Sequence, residues 1–276
     1  GKGGVGKSTV SANLAVALSK LGYSVGLVDL DIYGPSMSLM FGTKERPGAN
    51  ENDEFIPVTA HGVKLLSMGL LINESDPVAV RGPLATRYVQ QFLRNVAWGD
   101  VDFLILDLPP GTGDIQLTIV QTAELDGVVV VTTPQEVALI DARKAIGLFE
   151  RVETPILGII ENMSYFQCPS DGKIYHIFGE GGGEREAARL GVPLLGKIPL
   201  DISTRSGGDE GRPVALEEPG QNPVSARWLN NAPVWCLTAE CPDGAGGPVR
   251  LATFNFKAGL EPAALVRLVC RHVPAF

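Results

Sequence analysis

The sequence predicts an α/β fold, a doubly wound parallel sheet with helices on both faces. Two observations carry this. Short, almost continuously apolar runs recur along residues 24–198, and strands take that form when both faces of their sheet are covered. Between the runs lie segments with helical spacing and good helix formers, which is the alternation that builds βαβ units.

The expected strands are Ser24–Leu30, Val63–Met68, Phe103–Leu108, Gly127–Thr132, Ile156–Glu161 and Leu194–Ile198. The expected helices are Ser8–Leu21, Leu84–Val96, Ile115–Leu125, Ala138–Val152 and Gly183–Leu190. Gly42–Glu54 is polar and rich in Gly, Pro and Asn, so it reads as a surface loop. Composition shifts near Ser225: residues 226–276 hold three of the four cysteines (Cys236, Cys241, Cys270) and two of the three tryptophans (Trp228, Trp235). That stretch carries a net charge of +2, leaving −10 on residues 1–225, and only Pro262–Leu268 reads as helical within it. The expected organisation is a principal domain over 1–225 and an atypical tail over 226–276, either an added module or, the favoured reading, a translation artefact.

Composition excludes several classes of function. With 45% apolar and 20% charged residues, the 276-residue chain is a folded protein rather than a disordered one. No run approaches the ~18 apolar residues of a membrane span, so no membrane partner is expected. A charge of −8 argues against a nucleic-acid partner, which needs a basic surface. Four cysteines form no disulfide framework, which points to a reducing cytoplasm.

The opening nine residues, Gly1-Lys2-Gly3-Gly4-Val5-Gly6-Lys7-Ser8-Thr9, read as the end of a P-loop running into a helix. Backbone N–H groups can wrap a phosphate this closely only where glycines permit it, and the helix adds its positive end. Lys7 is expected on the β- and γ-phosphates of ATP, and the Ser8 hydroxyl on Mg²⁺. Asp107 ends an apolar strand in the Walker B manner and is expected to bind Mg²⁺ through water. Asp31 ends another strand, where ligands bind in such sheets, with Asp29 expected to support the metal's surroundings. Pro109-Pro110-Gly111-Thr112-Gly113-Asp114 reads as a switch that senses the γ-phosphate.

Lys2 is not required by an ordinary P-loop. Lys2-Gly3-Gly4-Val5-Gly6-Lys7-Ser8 resembles the deviant Walker A motif of the MinD/ParA/nitrogenase-iron-protein class. The resemblance implies an ATP-dependent homodimer in which Lys2 reaches the partner's nucleotide and Asp31 positions the attacking water. It also implies a strand directly ahead of Gly1, so the chain, which opens inside a motif, is expected to be a partial sequence.

Further segments resemble the Mrp/ApbC-type iron–sulfur cluster carrier ATPases: Asp29-Leu30-Asp31-Ile32-Tyr33-Gly34-Pro35-Ser36, Arg81-Gly82-Pro83, Asp107–Asp114, Glu161-Asn162-Met163-Ser164-Tyr165-Phe166, His176-Ile177-Phe178-Gly179 and Gly196-Lys197-Ile198-Pro199-Leu200-Asp201. By that resemblance Asn162 reads the adenine edge, Pro199 and Leu200 close the base pocket, and clusters are delivered to recipient apoproteins. The family's Cys-Pro-x-Cys would bridge a [4Fe–4S] cluster between two subunits. Here the segment is Cys168-Pro169-Ser170-Asp171, with a harder carboxylate in place of the second thiolate. Three readings stay open: a labile cluster on paired Cys168 and Asp171, a cluster on Cys168 and other ligands, or no cluster. The competing function is a MinD/ParA-like dimerisation switch in spatial organisation. An electron-transferring ATPase of the nitrogenase kind is opposed by the lack of any cysteine between residues 70 and 140.

Overall fold

A computed structural model of the chain describes residues 3–71, 82–111, 113–218, 222–236, 238–239 and 252–253. Along the chain, α1 (Lys7–Lys20) leads to β1 (Val25–Asp29), the short α2 (Met37–Met40), the two-residue strands β2 (Gly48–Ala49) and β3 (Phe55–Ile56), then β4 (Val58–Ala60) and β5 (Val63–Ser67). Next come α3 (Gly82–Arg94), β6 (Phe103–Asp107), α4 (Asp114–Thr122), β7 (Val128–Thr132), α5 (Glu136–Arg151) and β8 (Ile156–Glu161). A small hairpin of β9 (Phe166–Gln167) and β10 (Ile174–Tyr175) precedes α6 (Gly182–Leu190), β11 (Leu194–Lys197), α7 (Ile202–Asp209) and α8 (Pro223–Cys236). The six expected strands and five expected helices are all present, all but β8 with shifted ends.

β1 pairs in parallel with β5 on one edge and β6 on the other, and all five of its residues are buried. Helices cover both faces. α1 buries Val10, Leu14, Val16 and Leu18 in one core; Val89 and Phe92 of α3 meet Val28 and Leu66 in a second. Ala142, Ile146 and Phe149 of α5, at helical spacing, close over Val128, Val130 and Ile159 in a third. One strand departs from the parallel rule: β4 runs antiparallel to β5. The two-residue turn between them, His61-Gly62, has φ of 51° and 79°, the geometry whose twist suits a tight hairpin.

The sheet is in two parts. Among the described residues, β4-β5-β1-β6 and β11-β8-β7 share no strand pairing. β6 and β7 flank a cleft of about 390 Å³ lined by Phe103–Asp107, Val128–Val131, Lys7 and Val10. Among the described residues β6 pairs on one edge only, and Leu104 in its middle is 41% exposed. Both strand edges that face this cleft carry backbone hydrogen-bonding groups to satisfy.

The expected boundary between residues 225 and 226 falls inside α8, where Trp228, 1% exposed, joins the same buried cluster as Leu14 and Ile198. Burial of that indole ties the first part of α8 to the main core. The expected helix Pro262–Leu268 lies outside the described residues. Gly42–Glu54 is largely loop, but its β2 pairs with Phe55–Ile56, the turn closed by Asn50 Oδ1 accepting from the N–H groups of Asn52 and Glu54.

Candidate functional site

Backbone conformation shapes the phosphate loop. Gly4 and Gly6 have φ of 80° and 85°, a left-handed region that glycine enters without strain. Gly6 has a second reason to lack a side chain, since a Cβ would lie 2.3 Å from Asn162 Nδ2. Val5 is buried. α1 starts at Lys7 with Ser8 and Thr9 in its first turn, so the unpaired N–H groups of a helix start face the loop. Gly1 and Lys2, both expected in the site, lie outside the described residues.

Lys7, Asp31 and Asp107 converge beside this loop. Burial lowers the Lys7 pKa, and the nearby charges of Asp107 and Asp31 partly restore it. Asp107 ends β6, in register with Asp29 of β1. Burial pushes its pKa up, opposed by the hydroxyls of Ser8 and Ser11. Ser11 Oγ donates to Oδ1 at 3.0 Å, while Oδ2 is buried with no hydrogen-bond partner among the described residues. Leaving a carboxylate oxygen that way is costly unless a cation takes it. Beside the Ser8 hydroxyl, this all-oxygen donor set fits Mg²⁺.

Asp29 is engaged by four donors. Its Oδ2 accepts from Ser67 Oγ at 2.9 Å, Ser36 N at 3.1 Å and Met37 N at 3.2 Å, and its Oδ1 accepts from Asp31 N at 3.1 Å. The carboxylate thus pins the loop that presents Asp31. Burial first, then Asp107, push its pKa up to about 7. Asp31 itself accepts from Gly34 N at 3.2 Å.

Gln116 was missed in the sequence. Buried at the start of α4, it accepts from Gly113 N at 2.8 Å and donates to the carbonyls of Pro109 and Pro110 at 3.0 and 3.1 Å. These bonds set the shape of the loop after Asp107. The available signal was a glutamine three residues past a helix cap, a recurring N-terminal pattern.

Asn162 leaves the end of β8 and turns onto the phosphate loop, its Nδ2 donating to Val5 O at 2.8 Å. Pro199 is buried and lines a cavity of about 190 Å³ with Ile198, Val224, Arg227 and Trp228.

Cys168 lies in the turn of the β9–β10 hairpin. Its N–H donates to Lys173 O and its carbonyl accepts from Gly172 N, both at 2.9 Å. Sγ is 3.1 Å from Ser170 Oγ, and this contact leads the lowering of the thiol pKa. Asp171 shares the turn: it accepts from Lys173 N, which holds its carboxyl below the usual range, and pairs with Lys173 Nζ at 3.3 Å. His176 faces Ser164 O and Glu180, a structural placement. Among the described residues no group of three or more His, Cys, Asp or Glu is placed to hold a metal ion. Cys241 and Cys270 lie outside them. No described helix is long and apolar enough to cross a membrane.

The chain is similar to several known proteins. An iron–sulfur cluster carrier protein of Aquifex aeolicus is 50% identical over 242 residues, spanning 87% of this chain and 66% of its own length. The chain therefore covers just under two thirds of that relative. A nucleotide-binding protein of Archaeoglobus fulgidus, solved in complex with ADP, is 40% identical and superposes with a TM-score of 0.68 over 77% of this chain and 84% of its own. The septum site-determining protein MinD of Pyrococcus horikoshii, complexed with Mg-ADP, is 25% identical with a TM-score of 0.63, over 84% and 91% of the two chains. The profile of the NUBPL iron-transfer P-loop NTPases matches residues 1–230, and the chain belongs to that family.

Proposed function

We propose that this protein binds and hydrolyses ATP and uses the cycle to carry an iron–sulfur cluster to recipient apoproteins. The observation that carries the nucleotide half is the buried Asp107 Oδ2, without a hydrogen-bond partner among the described residues and set beside Ser8 and Lys7 at the start of α1. The cargo half is supported by the family and by the names of its relatives.

In this reading, Gly1, Gly3, Gly4, Val5, Gly6 and the N–H groups of Lys7, Ser8 and Thr9 wrap the phosphates. Lys7 neutralises the β- and γ-phosphates. Ser8 and Asp107 would hold Mg²⁺, which supplies charge neutralisation when bound. Asp31, fixed by Asp29, orients the attacking water. Asn162 and Pro199 border the base. The work is positioning and electrostatics rather than covalent catalysis. Two copies form a homodimer, with Lys2 reaching the partner's nucleotide, and hydrolysis loosens the pair. A [4Fe–4S] cargo sits between the copies on Cys168 from each, with Asp171 from each as the harder second ligand. A dimer is required because a single hairpin offers only these two donors. The principal domain extends through α8.

Anaerobic reconstitution with iron and sulfide tests the cargo. About four iron and four sulfide per dimer, lost in Cys168→Ala, is the expected result. Failure to retain iron with hydrolysis intact overturns the carrier function. The likeness to MinD then favours an ATP-dependent dimerisation switch, read by nucleotide-dependent sedimentation with anionic liposomes.

A further inference from the structure

Asn162 stands between the phosphate loop and the cysteine hairpin. Its Nδ2 donates to Val5 O at 2.8 Å, and the same nitrogen occupies the space where a Gly6 Cβ would be, with Met163 Cε 3.8 Å from that point. Six residues further on is Cys168.

The segment joining the two is held rather than slack. Asn162 N donates to Thr132 O at 2.7 Å, Ser164 N to Ile198 O at 2.9 Å, and Leu200 N to Tyr165 O at 2.7 Å. Buried Glu161 accepts from Ser164 Oγ and Gly183 N, both at 2.5 Å. Phe166 bridges to Leu200. Within this framework Met163 has φ of 54°, a left-handed conformation that a side chain adopts only under constraint from its surroundings.

The peptide unit gives the contact its consequence. In a trans peptide the C=O and the following N–H point in opposite directions. Holding Val5 O against Asn162 therefore aims Gly6 N–H away from it, on the side where a P-loop receives its anion. Whatever pulls on that N–H rotates the plane that Asn162 grips.

We propose that Asn162 is a positioning residue that couples the phosphate loop to the Cys168 hairpin. Movement of Val5–Gly6 with the nucleotide passes through Asn162 and Met163 and changes how Cys168 is presented to its cargo. The inference rests on the nucleotide and cargo reading above. It would make Asn162 more than a contact to the base.

The test is the iodoacetamide alkylation rate of Cys168, resolved by peptide mass spectrometry so that the other cysteines do not interfere. Cargo-free protein is compared with and without saturating Mg-AMP-PNP, and nucleotide binding is titrated in parallel. In the wild type, nucleotide should change the rate by about fivefold or more, the scale of ordinary coupling between sites. Asn162→Ala should bind nucleotide at higher concentration yet lose that response. Asn162→Asp, which keeps the shape but replaces the donor with an acceptor, should lose it too, with circular dichroism confirming its fold. A purely structural role would lower thermal stability and leave the nucleotide response intact. A wild-type rate unchanged at saturation, or a response surviving in both variants, overturns the coupling. A wild type that binds no nucleotide defeats the nucleotide assignment itself, which the titration reads separately.

Discussion

The phosphate site draws its groups from the protein core, whereas the cysteine hairpin projects from it. Asp29 and Asp107 are buried at the ends of neighbouring paired strands, and the Asp29 oxygens are engaged by named donors. Cys168 sits in the turn between two strands of two residues each, flanked by the exposed side chains of Ile174 and Tyr175. At the first site the buried carboxylates are bound up with folding. At the second the chemistry can be changed with little effect on the fold, so an aspartate can stand at position 171 without structural penalty.

The largest effect that would break this contrast is at Lys7. Lys7→Ala should weaken ATP binding by about 100-fold or more, the scale of losing two charge-assisted contacts. Thermal stability should not fall with it, because burial already disfavours the charged amine. Calorimetric titration and a melting curve read both, and normal affinity would remove the site. Cys168→Ala should spare the nucleotide site: reconstituted iron is lost, while hydrolysis persists and melting moves by about 1–2 °C at most, as for a partly exposed turn position. In the opposite sense, Asp171→Cys should raise cluster retention, since thiolate is the softer ligand for iron.

A smaller effect separates the two regions by pH. The folded Asp29 pKa of about 7 lies above an unfolded value near 3.9. Its contribution to stability is therefore complete below about pH 4 and is lost as pH rises towards 7. Melting of the nucleotide-free protein should rise as pH falls from 7.5 to 5, by at most about 2–4 °C per unit. Asn at position 29 should flatten part of that slope, with the raised Asp107 supplying the rest. The lowered carboxyls of Glu184 and Glu186 titrate below that window. A melting temperature that is level between pH 5 and 7.5 would refute the account of Asp29. The smallest effect belongs to the exposed pair of Lys197 and Glu184 at 2.7 Å: Lys197→Ala should cost under about 1 kcal/mol in a denaturant melt.

The sequence by itself determined whatever depends on neighbours along the chain. Apolar runs and helical spacing located the six main strands and the five helices between them, and Gly4, Gly6, Lys7 and Ser8 marked the phosphate loop. Asp107 was legible for the same reason, as the carboxylate that ends an apolar strand. Only the tertiary structure decided which groups meet across long separations. It turned Asp29 onto Ser67 and the Asp31 loop, set Asn162 against Val5 at a distance of 157 residues, and left Asp107 Oδ2 without a partner among the described residues. It also carried α8 across the expected boundary at 225 and held β6 and β7 apart around a cleft. The physical reason is the same throughout: periodicity and turn chemistry are local and leave a pattern in the sequence, whereas the partner of a buried polar group is chosen by packing.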